Sequence, residues 1–163
     1  GGYLDRLKSH FNLIERHVPI FSKPKTKNVR YILNDNFLIF WFRFFYKYQN
    51  YIESGALNQL QRIIKRDISV VEGFMLERYF RQRLRESQEY TQIGQYWDRK
   101  GENEIDIVAV NEIDGIADIF EVKKDKSRYD EELLAKKVDN MLQASPELKK
   151  YKLSLKCLSM EDM

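Results

Sequence analysis

The stretch NEIDIVAVNEIDGIADIFEVKK, from Asn103 to Lys124, decides the fold of this chain. Its apolar, β-branched runs EIDIVAVN and IADIFEVK predict the two strands of a buried hairpin, joined by the turn EIDG. Asp106 nevertheless lies in the first strand, and Glu121 and Lys123 lie at the end of the second. Because a buried charge is costly unless it is paired, these three charged groups need a specific explanation.

The length of the turn decides whether the three charged side chains meet. Side chains alternate between the faces of a strand, so Glu121 and Lys123 share a face, and Asp106 shares it if the turn has an even number of residues. A four-residue turn, Glu112–Gly115, places Asp106 opposite Glu121. A two-residue turn, Asp114-Gly115, places it opposite Lys123. An odd number puts Asp106 on the other face.

Two neighbouring carboxylates repel each other unless positive charge compensates them. Lys123 supplies one positive charge, and a divalent cation held by Asp106 and Glu121 would supply the rest. Hard oxygen ligands suit Mg²⁺ or Mn²⁺, which also accept phosphate oxygens. The cluster therefore predicts metal-assisted attack of water on a phosphodiester, with Lys123 orienting the water or neutralising charge.

Glu77 adds a fourth charged group. It projects from the apolar stripe of the helix predicted over DISVVEGFMLERYFRQRLRES, residues 67–87, with Asp67 or Ser69 near its start. A helix packed on the sheet would bring Glu77 beside the hairpin. Two alternatives stay open: Glu77 pairs with Arg81 or Lys123 in an internal salt bridge, and the E-x-K pair is a solvated ion pair.

The order of elements from residue 67 onward predicts the architecture. The helix is followed by the strand YTQIGQYW, the hairpin, the helix RYDEELLAKKVDNMLQA and the strand YKLSLKCLS. This αβββαβ order predicts an α/β (α+β) domain, residues 67–163, that has a mixed sheet with a helix on each face.

Two further segments precede that domain. Residues 1–33 predict a helix and two strands, LIERHVPIF and VRYILND, joined by the basic loop SKPKTKN, as at the end of a winged-helix unit. Residues 34–66 predict connecting aromatic-rich helices, capped by Asn34 or Asp35, interrupted at Ser54-Gly55 and reaching Arg66. Aromatic residues surround the first turns, so we expect that helix to be buried.

Composition bounds the classes of function. The 163 residues are 43% hydrophobic and 33% charged, which suits a folded domain, and the net charge of +3 does not by itself indicate nucleic acid. A single cysteine, Cys157, excludes an internal disulfide and fits a reducing compartment. No apolar run approaches the ~20 residues of a membrane span, so we expect a cytoplasmic location. The chain begins Gly-Gly rather than with Met, and we expect it to be part of a longer protein.

EID followed by EVK within an αβββαβ frame resembles the PD-(D/E)XK nuclease superfamily. RYILNDNFLIFWFRF, MLERYF, YWDRKGENEIDIVAVN and FEVK together resemble the C-terminal region of prokaryotic AAA+-type ATPases. In that family a P-loop ATPase domain precedes a winged helix and a DUF234-type, restriction-endonuclease-like domain. The resemblance covers essentially the whole chain.

The resemblance implies roles for the four charged residues. Glu77 corresponds to the helical acid, Asp106 to the metal-binding acid, and Glu121 and Lys123 to the E-x-K pair. Ile105, rather than Pro, precedes Asp106. Two further correspondences stay open: Glu104 is an additional ligand or an exposed strand start, and Gln143 is a late glutamine found in some members or a solvated helix end.

The sequence also suggests partners. Basic residues that would contact DNA phosphates lie in the wing and around the hairpin: Lys23, Lys25, Lys27, Arg30, Arg99, Lys100 and Lys124. No G-x-x-x-x-G-K-[ST] occurs, so ATP would act only through an upstream ATPase domain absent from this chain. The aromatic run Phe37–Tyr48 indicates core packing or a homodimer contact.

Three functions are therefore compared. The first is a metal-dependent deoxyribonuclease domain of an ATPase. The second is a catalytically inactive DNA-binding or partner-docking module of the same ATPase, which the modest net charge favours. The third is a purely architectural module without affinity for DNA.

Overall fold

The computed structural model describes residues 2–163. The helices are α1 (Gly2–Ser9), α2 (Asn36–Phe40), α3 (Gln49–Glu53), α4 (Leu57–Ser87) and α5 (Glu131–Ala144). The strands are β1 (Ile14–His17), β2 (Arg30–Leu33), β3 (Gln92–Trp97), β4 (Glu104–Asn111), β5 (Ile116–Val122) and β6 (Lys152–Leu158).

The strands form two sheets. β1 pairs antiparallel with β2, and the larger sheet has the order β3-β4-β5-β6. In the larger sheet β3, β4 and β5 are antiparallel neighbours, whereas β6 runs parallel to β5. α5 provides the crossover that a parallel pair requires. The predicted mixed α/β architecture with a mixed sheet is confirmed.

Contacts divide the described chain into two compact units. One contains residues 2–17 and Arg30–Met75, and the other contains Val18–Val29 and Leu76–Met163. The four-stranded sheet and α5 belong to the second unit. The domain boundaries drawn from the sequence at residues 33 and 66 stay predictions.

The first unit contains the predicted helix and hairpin. β1 and β2 pair from Ile14 opposite Leu33 to His17 opposite Arg30, as expected for a two-stranded flap. Asp35 caps α2, because its Oδ1 accepts the Leu38 N–H at 2.8 Å. Gly55 has φ of +73°, which lets the chain turn between α3 and α4.

The aromatic segment of this unit is less buried than expected. After α2 it continues as a π-helical turn, Trp41–Tyr46, in which Phe44 alone is fully buried. Phe37 and Tyr46 are each 64% exposed. The expectation of burial on every face is therefore wrong: the rings cover one another at helical spacing, as with Trp41 and Phe45 at 5.2 Å between centroids.

A single helix, α4, replaces the two helices predicted on either side of residue 67. Asp67 does not cap a helix start but lies inside α4, where it accepts two hydrogen bonds from Arg66 at 2.7 and 2.8 Å. Neither Gly nor Pro occurs at this point, so nothing breaks the helix. No helix within residues 2–163 has both the length and the apolar character needed to cross a membrane.

The central hairpin adopts the four-residue turn. Asn111 pairs with Ile116, and Ile107 pairs with Phe120, which places Asp106 across from Glu121. Asn111 Oδ1 accepts the backbone N–H groups of Ile113 and Asp114, each at 3.0 Å, and so holds the turn. Of the two registers compatible with a shared face, the structure contains the first.

A helix packs on each face of the sheet, as predicted. α5 contributes Leu134, Val138 and Met141 to a core with Val108, Val110 and Ile119 of the sheet. On the other face Leu76 and Phe80 of α4 pack against Ile107, Ala109 and Phe120. Consecutive residues of β4 and β5 alternate between the two cores, which is why both strands are nearly continuous apolar runs.

The loop between β1 and β2 attaches to the edge strand β3 of the larger sheet. The Ile20 N–H donates to the Gln95 carbonyl at 2.8 Å, and Gly94 leaves room for Ile20, since a Cβ there would lie 3.0 Å from the Ile20 Cβ. Asn28 and Trp97 exchange two hydrogen bonds, at 2.8 and 3.2 Å. Ile20 and Asn28 thereby hold both ends of the basic loop against β3. The loop covers a sheet edge that would otherwise be open.

Candidate active site

A β-bulge positions Asp106. Tyr96 pairs with Ile105, whereas Gly94 pairs with Val108, so β4 carries one more residue than β3 across this interval. Bulges bend a strand and redirect a side chain. Here Asp106 Oδ2 accepts the backbone N–H of Val122 at 2.8 Å. The carboxylate of β4 is thus held against β5, next to Glu121.

Glu121 is a buried carboxylate that is compensated by two lysines. Only 5% of the residue is exposed. Lys123 Nζ donates to its Oε1 at 2.6 Å, and Lys137 Nζ lies 3.1 and 3.0 Å from its two oxygens. Two ammonium groups offset the desolvation that would otherwise make this position unfavourable.

Sequence reasoning missed Lys137. The residue lies in α5 on the stripe formed by the buried Leu134, Val138 and Met141, at helical spacings of three, one and four residues. A lysine on an apolar stripe was the available signal, since such a residue needs a buried anion as partner.

The pKa of Asp106 is raised to about 6. Burial is the main cause, and the negative charge of Glu121 adds to it. The hydrogen bond from Val122 and the charges of Lys137 and Lys123 act in the opposite direction. Glu121 and both lysines each shift the pKa of Asp106, which agrees with their lying close to it.

Glu77 joins this cluster from α4. Its Oε2 accepts from Gln95 Nε2 at 3.3 Å and lies 3.6 Å from Arg81 Nη1. Burial, followed by the negative charge of Asp106, raises the pKa of Glu77 to about 8. Of the two salt bridges considered from the sequence, the structure contains the one with Arg81, which is itself 3% exposed.

Gln95 links Glu77 to the bulge. It lies in β3 between Gly94 and Tyr96, at the point where β4 carries the additional residue, and it is 7% exposed. Gln95 could not be singled out from the sequence, because a glutamine in a strand is ordinary and no local sequence pattern indicates the bulge.

Asp106 and Glu121 bring two carboxylates to the same end of the sheet without forming a closed metal site within the described residues. Within residues 2–163 no group of three or more His, Cys, Asp and Glu side chains is arranged to hold a metal ion. Glu104 therefore does not complete a ligand set with Asp106 and Glu121. Two carboxylates are nevertheless a donor set typical of Mg²⁺, which retains several waters and binds substrate phosphate.

The predicted phosphate-binding residues are divided between the two compact units. Lys23, Lys25 and Lys27 are exposed on the loop fixed to β3, and Arg99 and Lys100 are exposed in the turn that leads into β4. Asn28 bonds to Trp97, two residues before Arg99, so the loop and the turn adjoin. Lys124 follows Lys123 on the exposed chain after β5. Arg30 begins β2 in the first unit.

Comparison with known proteins gives a family without a known activity. The family model DUF234, described as "Archaea bacterial proteins of unknown function", matches residues 41–138. "Uncharacterized protein MJECL04" of Methanocaldococcus jannaschii is 36% identical over 117 residues, which are 68% of this chain and 26% of that protein. The chain thus spans about a quarter of its relative. No solved structure matches.

We expect Lys137→Met to destabilise the protein by roughly 1–3 kcal/mol, because Glu121 keeps its burial but loses one of its two cations. Lys136→Met is the matched control, since Lys136 is the exposed neighbour on the same helix. Urea unfolding at neutral pH measures both. Equal unfolding midpoints for the two variants would contradict the assigned role of Lys137.

We also expect stability to fall as the pH rises between about pH 5 and pH 8. A carboxyl group whose pKa is raised on folding binds more protons in the native state, so the free energy of unfolding decreases with pH until its folded pKa is passed. Glu77 dominates this range, with a pKa of about 8 against an ordinary 4.5. Glu77→Gln should therefore flatten the dependence seen in urea unfolding, and an unchanged slope would refute the assignment.

Proposed function

Because the chain belongs to the DUF234 family, whose function is unknown, we propose a function from its site: metal-dependent hydrolysis of DNA phosphodiester bonds. One observation carries the proposal. Asp106 and Glu121 lie across from each other on adjacent strands, and Lys123 bonds to Glu121 at 2.6 Å. Two carboxylates and an ammonium at one point form a set suited to a cation and a phosphate.

The order of elements supports a nuclease-like fold for this unit. α4, β3, β4, β5, α5 and β6 follow the αβββαβ order of a restriction-endonuclease-like core, with β6 parallel to β5. The cluster lies where β4 begins and β5 ends, so its members come from one end of the sheet. These features agree with the resemblance to PD-(D/E)XK nucleases noted in the sequence.

The residues take separate roles in the proposed reaction. A bound Mg²⁺ or Mn²⁺ would supply an activated water and neutralise charge on the phosphate. Asp106 and Glu121 would hold the cation, and the Val122 N–H keeps the Asp106 carboxylate in place. Lys123 would orient the attacking water or bind a phosphate oxygen. Glu77 would remain protonated near neutral pH and retain a proton for transfer.

Basic residues supply the contact with DNA. The loop lysines Lys23, Lys25 and Lys27 adjoin Arg99 and Lys100, and all five are exposed on the unit that contains the site. Contacts of this kind fix a duplex or strand through its phosphates without reading sequence. We place the activity in the cytoplasm, in a longer protein whose upstream ATPase domain would bind ATP.

A second candidate is a DNA-binding or partner-docking module without catalysis. The observation in its favour is that Glu121 is 5% exposed and already contacts two lysines. A cation must displace or share these contacts in order to bind. Exposed rings of the first unit, such as Phe37 and Tyr46, would then serve docking or homodimer formation.

The proposed activity predicts nicking of supercoiled plasmid in Mg²⁺ or Mn²⁺ and none in chelator. Glu121→Gln and Lys123→Met should each lower the rate at least ~100-fold, because each removes a charge from the reacting centre. Glu112→Gln is the control, since Glu112 is exposed in the turn at the other end of the hairpin.

DNA binding, measured on the same samples, distinguishes the candidate functions. Retained affinity for DNA without cleavage in any divalent metal favours the inactive module. Cleavage that survives both substitutions would show that the reaction does not occur at the proposed site. Absence of DNA binding at low salt would leave only an architectural role.

A further inference from the structure

One buried nitrogen beside the candidate active site, Nη1 of Arg81, has no hydrogen bond. Arg81 lies in α4 and is 3% exposed, and within residues 2–163 its Nη1 finds no hydrogen-bond partner. Buried polar groups are almost always bonded, and a charged donor without an acceptor is especially costly. The guanidinium group therefore holds an unused donor next to the proposed reaction.

The acceptor within reach of this donor is Glu77, one helical turn earlier in α4. Glu77 Oε2 lies 3.6 Å from Arg81 Nη1, beyond the roughly 2.7–3.2 Å of an N–H···O hydrogen bond. Gln95 Nε2 approaches the same oxygen from β3, also at a long distance of 3.3 Å. Two donors from different elements thus surround one oxygen, and a carboxyl shift of about 0.5–1 Å would complete both bonds.

The charges around Glu77 show why Arg81 is needed there. Asp106 and Glu104 of β4 and Glu121 of β5 all disfavour a negative charge on Glu77, whereas Arg81 favours it. The long contacts to Oε2 suit a neutral carboxyl group, because an ionised one draws its donors closer. Arg81 and Gln95 are therefore placed to receive the anionic form of Glu77.

The two lysines of the site do not replace Arg81 in this task. Lys123 and Lys137 both contact Glu121, at 2.6 and 3.0 Å. Arg81 forms its ion pair with Glu77 instead, and all of these residues belong to one compact unit. The cations of the site are thus divided between two different carboxyl groups.

We propose that Arg81 is a positioning residue for Glu77: it orients the carboxyl group and stabilises the anion that remains after Glu77 gives up its proton. The inference rests on the proposed role of Glu77 as a proton donor. In that step the bond from phosphorus to the leaving oxygen breaks, and this oxygen takes the Glu77 proton while the electron pair stays on the carboxylate. The attacking water bonds to phosphorus and loses a proton to solvent, which later returns one to Glu77. Arg81 stays protonated throughout.

Carbon-detected NMR of the complete chain, without metal or DNA, tests the pairing directly. The Glu77 Cδ signal reports ionisation of that group, and the Arg81 Cζ signal reports a changed contact, because the guanidinium group itself does not titrate here. Between about pH 5 and pH 10 we expect both signals to change with one midpoint, near pH 8. In Glu77→Gln the Arg81 signal should lose this transition, since an amide does not ionise.

Substitutions separate the charge of Arg81 from its packing. Arg81→Met keeps a long apolar side chain but removes the charge, so the Glu77 midpoint should rise by about one pH unit or more. Arg81→Lys retains the charge and should reverse most of that shift. Arg85→Met is the matched control and should leave the midpoint in place, because Arg85 is an exposed arginine one turn further along α4. In plasmid nicking, Arg81→Met should lower the rate about tenfold or more, and Arg81→Lys should restore most of it.

Three results would each overturn the proposal. The first is an Arg81 signal that does not follow Glu77 in the unchanged protein, a measurement that needs no folded Arg81→Met variant. The second is a Glu77 midpoint that Arg81→Met leaves in place or that Arg85→Met moves equally. The third is nicking that Arg81→Met does not slow. Because the NMR measurements need no catalysis, absence of nicking bears on the hydrolysis alone, and nicking without a shared midpoint bears on Arg81 alone.

Discussion

The structure of the sheet depends on compensation of the buried Glu121 carboxylate. An isolated ionised carboxylate cannot be removed from water at acceptable cost, so two lysines meet it from different elements, Lys123 from the end of its own strand and Lys137 from α5. The contact therefore ties α5 to one end of the hairpin. It also concentrates charge there, while the other parts of β4 and β5 are apolar.

The same electrostatic constraint gives two acids of the cluster, Asp106 and Glu77, different pKa values. Asp106 is held by a backbone N–H and has a pKa of about 6, whereas Glu77 lies among Gln95 and the buried Arg81 with a pKa of about 8. Carboxyl groups that differ in this way are suited to different tasks at neutral pH, one as an anionic ligand and one as a proton carrier. Burial raises the pKa of both groups, and the Val122 N–H and the charges of Lys137 and Lys123 keep that of Asp106 lower.

Much of this arrangement was predictable from the sequence, because alternation and turn length restrict a hairpin. Asn111 and Gly115 supply the turn chemistry, but the sequence alone did not choose between an odd number of turn residues, two and four; the structure has four. The bulge at Asp106, the contact of Lys137 and the attachment of the loop to β3 depend on pairing between distant segments, which local periodicity does not encode. Helix α4 shows the opposite problem. Aspartate often caps a helix start, so Asp67 suggested one, but it lies inside a continuous helix.

The central claim is that Asp106 and Glu121 form one cation site, and calorimetric titration of Mn²⁺ tests it most directly. The titration belongs near pH 8, where Asp106 is ionised. Asp106→Asn is the decisive variant, because an amide oxygen still accepts the Val122 N–H and so preserves the fold while the charge is lost. We expect one Mn²⁺ per chain in the unchanged protein and none in this variant. Undiminished binding in Asp106→Asn, or no binding in either protein, would contradict the claim.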